Sequence, residues 1–134
     1  MKEIVATNKA PQAIGPYSQA VVVGNMIFTS GMIPIVPETG EVLEGDITAQ
    51  ATQAIGNLIA LLKEVGASAE SVVKTTVFIK NMADFASVNE VYKEAFKDAP
   101  ILPARSCFEV SALPKNALVE IEVIATRSLN SEKH

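Results

Sequence analysis

An arginine and a glutamate in the last third of this 134-residue chain, Arg105 and Glu120, are the pair whose side chains could meet in a partly buried cleft. A guanidinium presents a planar fork that grips both oxygens of a carboxylate. A carboxylate held beside it can take a proton from water as a general base. Both residues fall in runs patterned as strands, 104–112 and 118–127, joined across Leu113-Pro114-Lys115-Asn116. Because side chains alternate along a strand, Arg105, Cys107 and Glu109 point one way and Phe108, Val110 and Ala112 the other. On the second run Val119, Ile121, Val123 and Ala125 form an apolar face, with Leu118, Glu120, Glu122 and Ile124 opposite. A hairpin that aligns the two apolar faces would bring Arg105, Cys107 and Glu120 out on the same side of the sheet. Plainer readings fit the same residues. Arg105 and Glu120 would also make an ordinary cross-strand ion pair, Cys107 a small buried hydrophobe, and Tyr17, after Gly15-Pro16, an aromatic packed on a turn.

Other chemistries are excluded by what the chain lacks. His134 is the only histidine and the last residue, which removes Ser-His-Asp and Cys-His catalysis and most zinc enzymes. Cys107 is the only cysteine, so there is no intramolecular disulfide and no cysteine zinc cluster. Gly40 and Gly45 have the spacing of a phosphate loop, but Asp46 stands where its lysine belongs. With no dinucleotide or metal motif either, the sequence implies no cofactor. Net charge is −4, with 11 basic residues scattered among 15 acidic ones, a poor match to nucleic acid. The absence of an apolar signal core and of any membrane-length apolar run points to a cytoplasmic setting.

The positioning elements follow from periodicity. Length and an even composition, 49% hydrophobic, predict a single domain over 1–134. Runs 19–23 and 26–30 read as strands about a Gly24-Asn25 turn, with a further strand at 3–7 and a loop over 31–46. The spacing predicts a helix over 48–65, with Ala51, Ile55, Leu58, Ile59, Leu62 and Val65 on its apolar face and Gln50, Gln53 and Asn57 off it. Asp46 or Thr48 caps it and Gly66 ends it. A strand over 72–80 and a second helix over 85–96, capped by Asp84, complete a β-β-α-β-α-β-β order. In the 72–80 run, alternation groups Val73, Val77 and Ile79 on one side and Val72 and Phe78 on the other. Two helices cover one sheet face only, so the second apolar face calls for another copy of the chain.

Several blocks together resemble the RidA (YjgF-type) family: residues 13–19, AIGPYSQ; 29–34, TSGMIP; 73–78, VKTTVF; 103–110, PARSCFEV; and 118–122, LVEIE. They stand in the family's order and span nearly the whole chain, with Met32 where glutamine is common. The resemblance implies a chorismate-mutase-like α+β fold: a mixed sheet with two helices on one face, assembled as a homotrimer with sheets facing inward and active sites between subunits. It implies hydrolysis of 2-iminobutanoate and 2-iminopropanoate, products of pyridoxal-phosphate dehydratases, with no cofactor or metal of its own. Transferred to this sequence, Glu120 is the general base and Arg105 the carboxylate clamp. Tyr17 is a pocket wall or proton relay, and Gly31, Cys107, Ser30 and Asn89 complete substrate binding, Cys107 mainly through its backbone. Two other functions compete: a small-carboxylate-binding regulatory or chaperone-like trimer, and a ribonuclease or translation inhibitor, as some family members have been described.

Overall fold

The computed structural model describes residues 1–127; the tail 128–134, expected to be polar and frayed, lies outside the described residues. Strands β1 (Lys2–Val5), β2 (Ala20–Val23) and β3 (Met26–Thr29) precede a small hairpin of β4 (Ile35–Val36) and β5 (Glu41–Val42). Helix α1 (Ile47–Lys63), β6 (Val72–Ile79), α2 (Phe85–Ala95), β7 (Ala104–Glu109) and β8 (Val119–Thr126) follow. The result is a mixed α+β fold with a six-stranded sheet in the order β1-β2-β3-β8-β6-β7. Among the described residues, only β6 and β7 pair in parallel. Among the described residues no helix is long and apolar enough to cross a membrane.

Local sequence accounts for the element ends. Gly24 and Asn25 turn β2 into β3, with Gly24 at φ +61°, a left-handed conformation that costs glycine little. Asp46 caps α1 by accepting the Ala49 N–H at 2.9 Å. Gly66, at φ +77°, ends it, letting the Ala67 N–H reach back to the Leu62 carbonyl at 3.0 Å. Asp84 starts α2 without the expected side-chain cap, since a 3₁₀ turn, Met82–Asp84, already runs into the helix.

One face of the sheet is closed by the helices. Val22, Ile27, Val77, Ile79, Val119, Ile121 and Val123 meet Leu58, Leu61, Leu62, Val88 and Phe96, all buried. Each such leucine contributes roughly 1.5–3 kcal/mol relative to exposure. Ile59 and Val65, expected on the buried face of α1, only border it. Gln50 and Asn57 turn inward instead, a correction to the apolar-face reading. Asn57 donates to the Ile33 and Ile35 carbonyls at 3.2 and 2.8 Å and accepts from Gln53 at 2.8 Å. Gln50 donates to the Leu43 carbonyl and accepts the Leu118 N–H. These bonds hold the 31–46 segment, expected as loop, against the core, and within it the β4–β5 hairpin.

Two expectations about the strands are overturned. The runs ending the chain are not a hairpin: β6 lies between β7 and β8. A helical crossover returns the chain parallel to β6, so β7 takes the outer edge and β8 the inner side. In β6 a bulge between Val72 and Lys74 breaks strict alternation, so Val72 joins Thr75, Val77 and Ile79 in the core while Val73 stays exposed. The other sheet face is open, with Val23, Phe28, Val73 and Phe108 each 40–52% exposed. The apolar second face read from the sequence is therefore present.

Asn57→Ala should lower unfolding free energy by about 1–3 kcal/mol in urea titration, because the Ile35 carbonyl loses its donor and the Ile33 carbonyl keeps only the Ile35 N–H. A loss below about 0.5 kcal/mol would show that those carbonyls find other partners.

Candidate active site

Register decides where each candidate side chain points. On β8, Val119, Ile121, Val123 and Ala125 are buried beneath the helices, so Glu120 and Glu122 face the open side. Glu120 sits opposite Phe78, and Phe78 opposite Phe108. Arg105 sits opposite Thr75 and Cys107 opposite Val77, both on the helix-covered side. Arg105 and Cys107 therefore do not share a face with Glu120, contrary to the hairpin expectation. The reason is the strand order: inserting β6 between the two strands sets a register that an isolated hairpin would not.

Around Glu120 the chain builds a lined cavity. The Met32 N–H donates to the Ile121 carbonyl at 2.7 Å, and the Ile121 N–H to the Met32 carbonyl at 3.1 Å. This bridge lays Gly31 on the Glu120 side chain so closely that a Cβ at 31 would lie 1.8 Å from Oε2. Any side chain at 31 would have to push the Glu120 carboxyl aside. A cavity of about 260 Å³ opens beside the carboxyl, walled by Tyr17, Ile14, Met32, Ile33 and Pro114 among others. Tyr17 is held by its own turn: its hydroxyl accepts the Ile14 N–H at 3.3 Å, and its ring lies against Gly15. Ser30 is a strut for this wall. Its hydroxyl donates to the Ser18 carbonyl at 2.7 Å, and its N–H to the Gln19 carbonyl at 2.9 Å. Burial pushes the Glu120 carboxyl above its usual range, and Glu122 on the same face pushes further. That suits a group that must accept a proton near neutrality.

Arg105 and Cys107 lie apart from that cavity, on the edge strand β7. Arg105 Nη1 donates to Asn89 Oδ1 at 2.7 Å. Cys107 is half-buried, its thiol pushed up mainly by burial, with Arg105 pulling the other way. A protonated thiol is a weak nucleophile. The Val110 N–H donates to the Ile79 carbonyl on β6, so strand alternation turns the Arg105 and Cys107 amides toward the free edge. The edge thus offers a cation and main-chain donors away from Glu120, and the cavity around Glu120 has no lysine or arginine among the described residues of its lining.

Sequence pattern does not mark Gln19 for the site, yet it organises the cavity wall. Buried, it accepts the Thr7 N–H at 2.7 Å and donates to the Thr7 and Pro11 carbonyls at 3.0 and 2.6 Å. The only signal for it was its place at the end of the block containing Tyr17. Phe85 and Tyr92, which flank Arg105, read in the sequence only as an apolar helix stripe.

Residues 7–127 match the family model described as Endoribonuclease L-PSP. A RutC family protein of Pyrococcus abyssi is 55% identical over 124 residues, covering 92% of this chain and 96% of its own length. The chain belongs to the RidA/RutC family. Within that family the 2-iminobutanoate/2-iminopropanoate deaminase of Escherichia coli K12 is 50% identical over 128 residues, covering 95% of this chain and 99% of its own. The structure of E. coli TdcF with bound serine superposes with a TM-score of 0.89 at 46% identity, covering 94% of this chain and 99% of that one. The mixed sheet and its two helices are thus the architecture of this RidA/RutC member's relatives.

Gly31→Ala should keep the fold but swing Glu120 out of its niche, so that carboxyl ¹³C NMR shows its titration moving down toward that of an exposed glutamate. An unchanged titration would mean the carboxyl had not moved.

Proposed function

We propose that this chain is a hydrolytic deaminase that converts short 2-imino acids, such as 2-iminobutanoate and 2-iminopropanoate, to 2-keto acids and ammonia. The carrying observation is the separation of Arg105 from Glu120 onto opposite faces of one sheet, each with half of a site around it. A substrate with a carboxylate next to its C=N carbon needs both within a few ångströms. One copy cannot supply them, whereas two can, if the β7 edge of one meets the open face of the next. That face carries exposed Phe28, Val73 and Phe108, which such contact would cover. A closed ring of three copies satisfies every edge and face in the same way. We therefore read the active form as a homotrimer with inward-facing sheets.

In that assembly Arg105 of one subunit grips the substrate carboxylate, helped by the Cys107 amide. Across the interface Glu120 takes a proton from a water that attacks the imine carbon, giving a carbinolamine. Glu120 passes that proton, and then the hydroxyl proton, to the nitrogen; the C–N bond breaks and ammonia leaves as the carbon–oxygen double bond forms. Tyr17 closes the pocket wall and Gly31 leaves the space in which Glu120 lies. No covalent enzyme intermediate is required, since the imine carbon is already electrophilic. The natural source of such imines is a pyridoxal-phosphate-dependent dehydratase, which makes this enzyme its partner in sequence. The E. coli deaminase at 50% identity and the serine-bound TdcF support a small amino-acid-like substrate. For RNA cleavage, the name of the matched family model is the main support, and the chain's net charge of −4 opposes it.

Hydrolysis is measured as ammonia or 2-ketobutanoate released from freshly generated 2-iminobutanoate, with semicarbazide trapping the remainder. Arg105→Ala and Glu120→Gln should each lose at least about a hundredfold in kcat/KM. Refolded together in equal amounts, the two inactive variants should recover about a quarter of wild-type activity, because random assortment pairs an intact Arg105 with an intact Glu120 at one interface in four. No recovery from a well-formed mixed oligomer would sink the shared site, and no hydrolysis by wild type would sink the deaminase.

The acid limb of kcat/KM should follow Glu120. A base works deprotonated, so activity falls as pH drops through its raised pKa. Glu122→Gln removes one cause of the elevation and should move that limb to lower pH; an unmoved limb would separate it from Glu120.

A further inference from the structure

Arg105 is exposed, yet its guanidinium is not loose. Besides the Asn89 bond, its central carbon lies 4.8 Å from the centroid of the Tyr92 ring and 5.4 Å from that of Phe85. Phe85, Asn89 and Tyr92 are spaced i, i+4, i+7 and so share one side of α2. Tyr92 is itself braced. Its hydroxyl lies 2.8 Å from that of Thr75, and its ring packs 4.6 Å from Phe96. Thr75 is fully buried and is the β6 residue directly opposite Arg105. Three elements thus close a ring of contacts around one cation: β7 supplies it, α2 carries the rings beside it, and β6 anchors the nearer ring.

A free arginine must freeze several side-chain torsions when it captures an anion, and that ordering subtracts from affinity. An aromatic face attracts a cation and is indifferent to the hydrogen-bonding edge of the guanidinium. We propose that Tyr92, with Phe85 beside it, is a positioning residue: an aromatic seat, braced by Thr75, that holds the Arg105 guanidinium by its face and leaves its N–H edge ready for a carboxylate. This rests on the reading of Arg105 as the carboxylate-binding cation. Asn89 sets the rotation within the seat by taking one Nη1 hydrogen. A lysine at 105 would lack the planar face that the seat holds.

The test is calorimetric titration of 2-ketobutanoate, a carboxylate that does not turn over, into the full-length oligomer. Tyr92→Leu and Tyr92→Phe both remove the hydroxyl that meets Thr75, and only Tyr92→Leu removes the ring. The leucine variant should bind about tenfold more weakly than wild type and the phenylalanine variant within about threefold, with the leucine loss in hydrolysis falling on KM rather than kcat. Equal affinities for these two variants would overturn the seat. If Tyr92→Leu does not fold, Phe85→Leu removes the second ring, and should weaken binding about threefold; wild-type affinity there would overturn the seat as well. Undiminished binding by Arg105→Ala would overturn the carboxylate role of Arg105 and the seat with it, an outcome distinct from a failure of Tyr92 alone.

Discussion

The burial of alternate side chains on β8 governs the geometry of this protein. Val119, Ile121, Val123 and Ala125 are each no more than 3% exposed beneath the helices. A shift of one residue would drive Glu120 and Glu122 into that core and expose four apolar side chains. The register is therefore steep in energy, and it aims Glu120 at the open face. β8 also lies between β3 and β6, so its register sets theirs. Through β6 it reaches β7, and with it the side on which Arg105 emerges.

A second constraint works at closer range. The Met32–Ile121 bridge brings a loop to the flank of β8, and Asn57 and Gln50 hold that loop from behind. The Glu120 carboxyl lies where the loop residue has no side chain. Burial raises the proton affinity of this carboxyl, and Glu122 raises it further.

The separation of Arg105 from Glu120 bears on an oddity of the surface. An open sheet face bearing phenylalanines and valines is a liability for a lone chain. The same face borders the cavity that holds Glu120. If function requires a second copy, the exposed apolar area and the incomplete site have one remedy.

What the sequence by itself determined was local. The α1 and α2 spans, the Asp46 cap, the Gly24-Asn25 turn, the Gly66 stop and the apolar side of β8 are encoded within windows of a few residues, where periodicity and turn chemistry act directly. It also determined the family blocks, and with them the candidate residues. The inward turn of Gln50 and Asn57 was hidden, because their partners are backbone carbonyls and an amide that carry no sequence signature. Strand neighbours were hidden too. Alternation tells which side chains share a face of one strand and says nothing about which strand lies beside it. Only the tertiary structure, by placing β6 between β7 and β8, decided that Arg105 and Glu120 face opposite ways. It did so because a crossover through α2 had to lay β7 parallel against the free edge of β6, while β8 filled the place between β6 and β3.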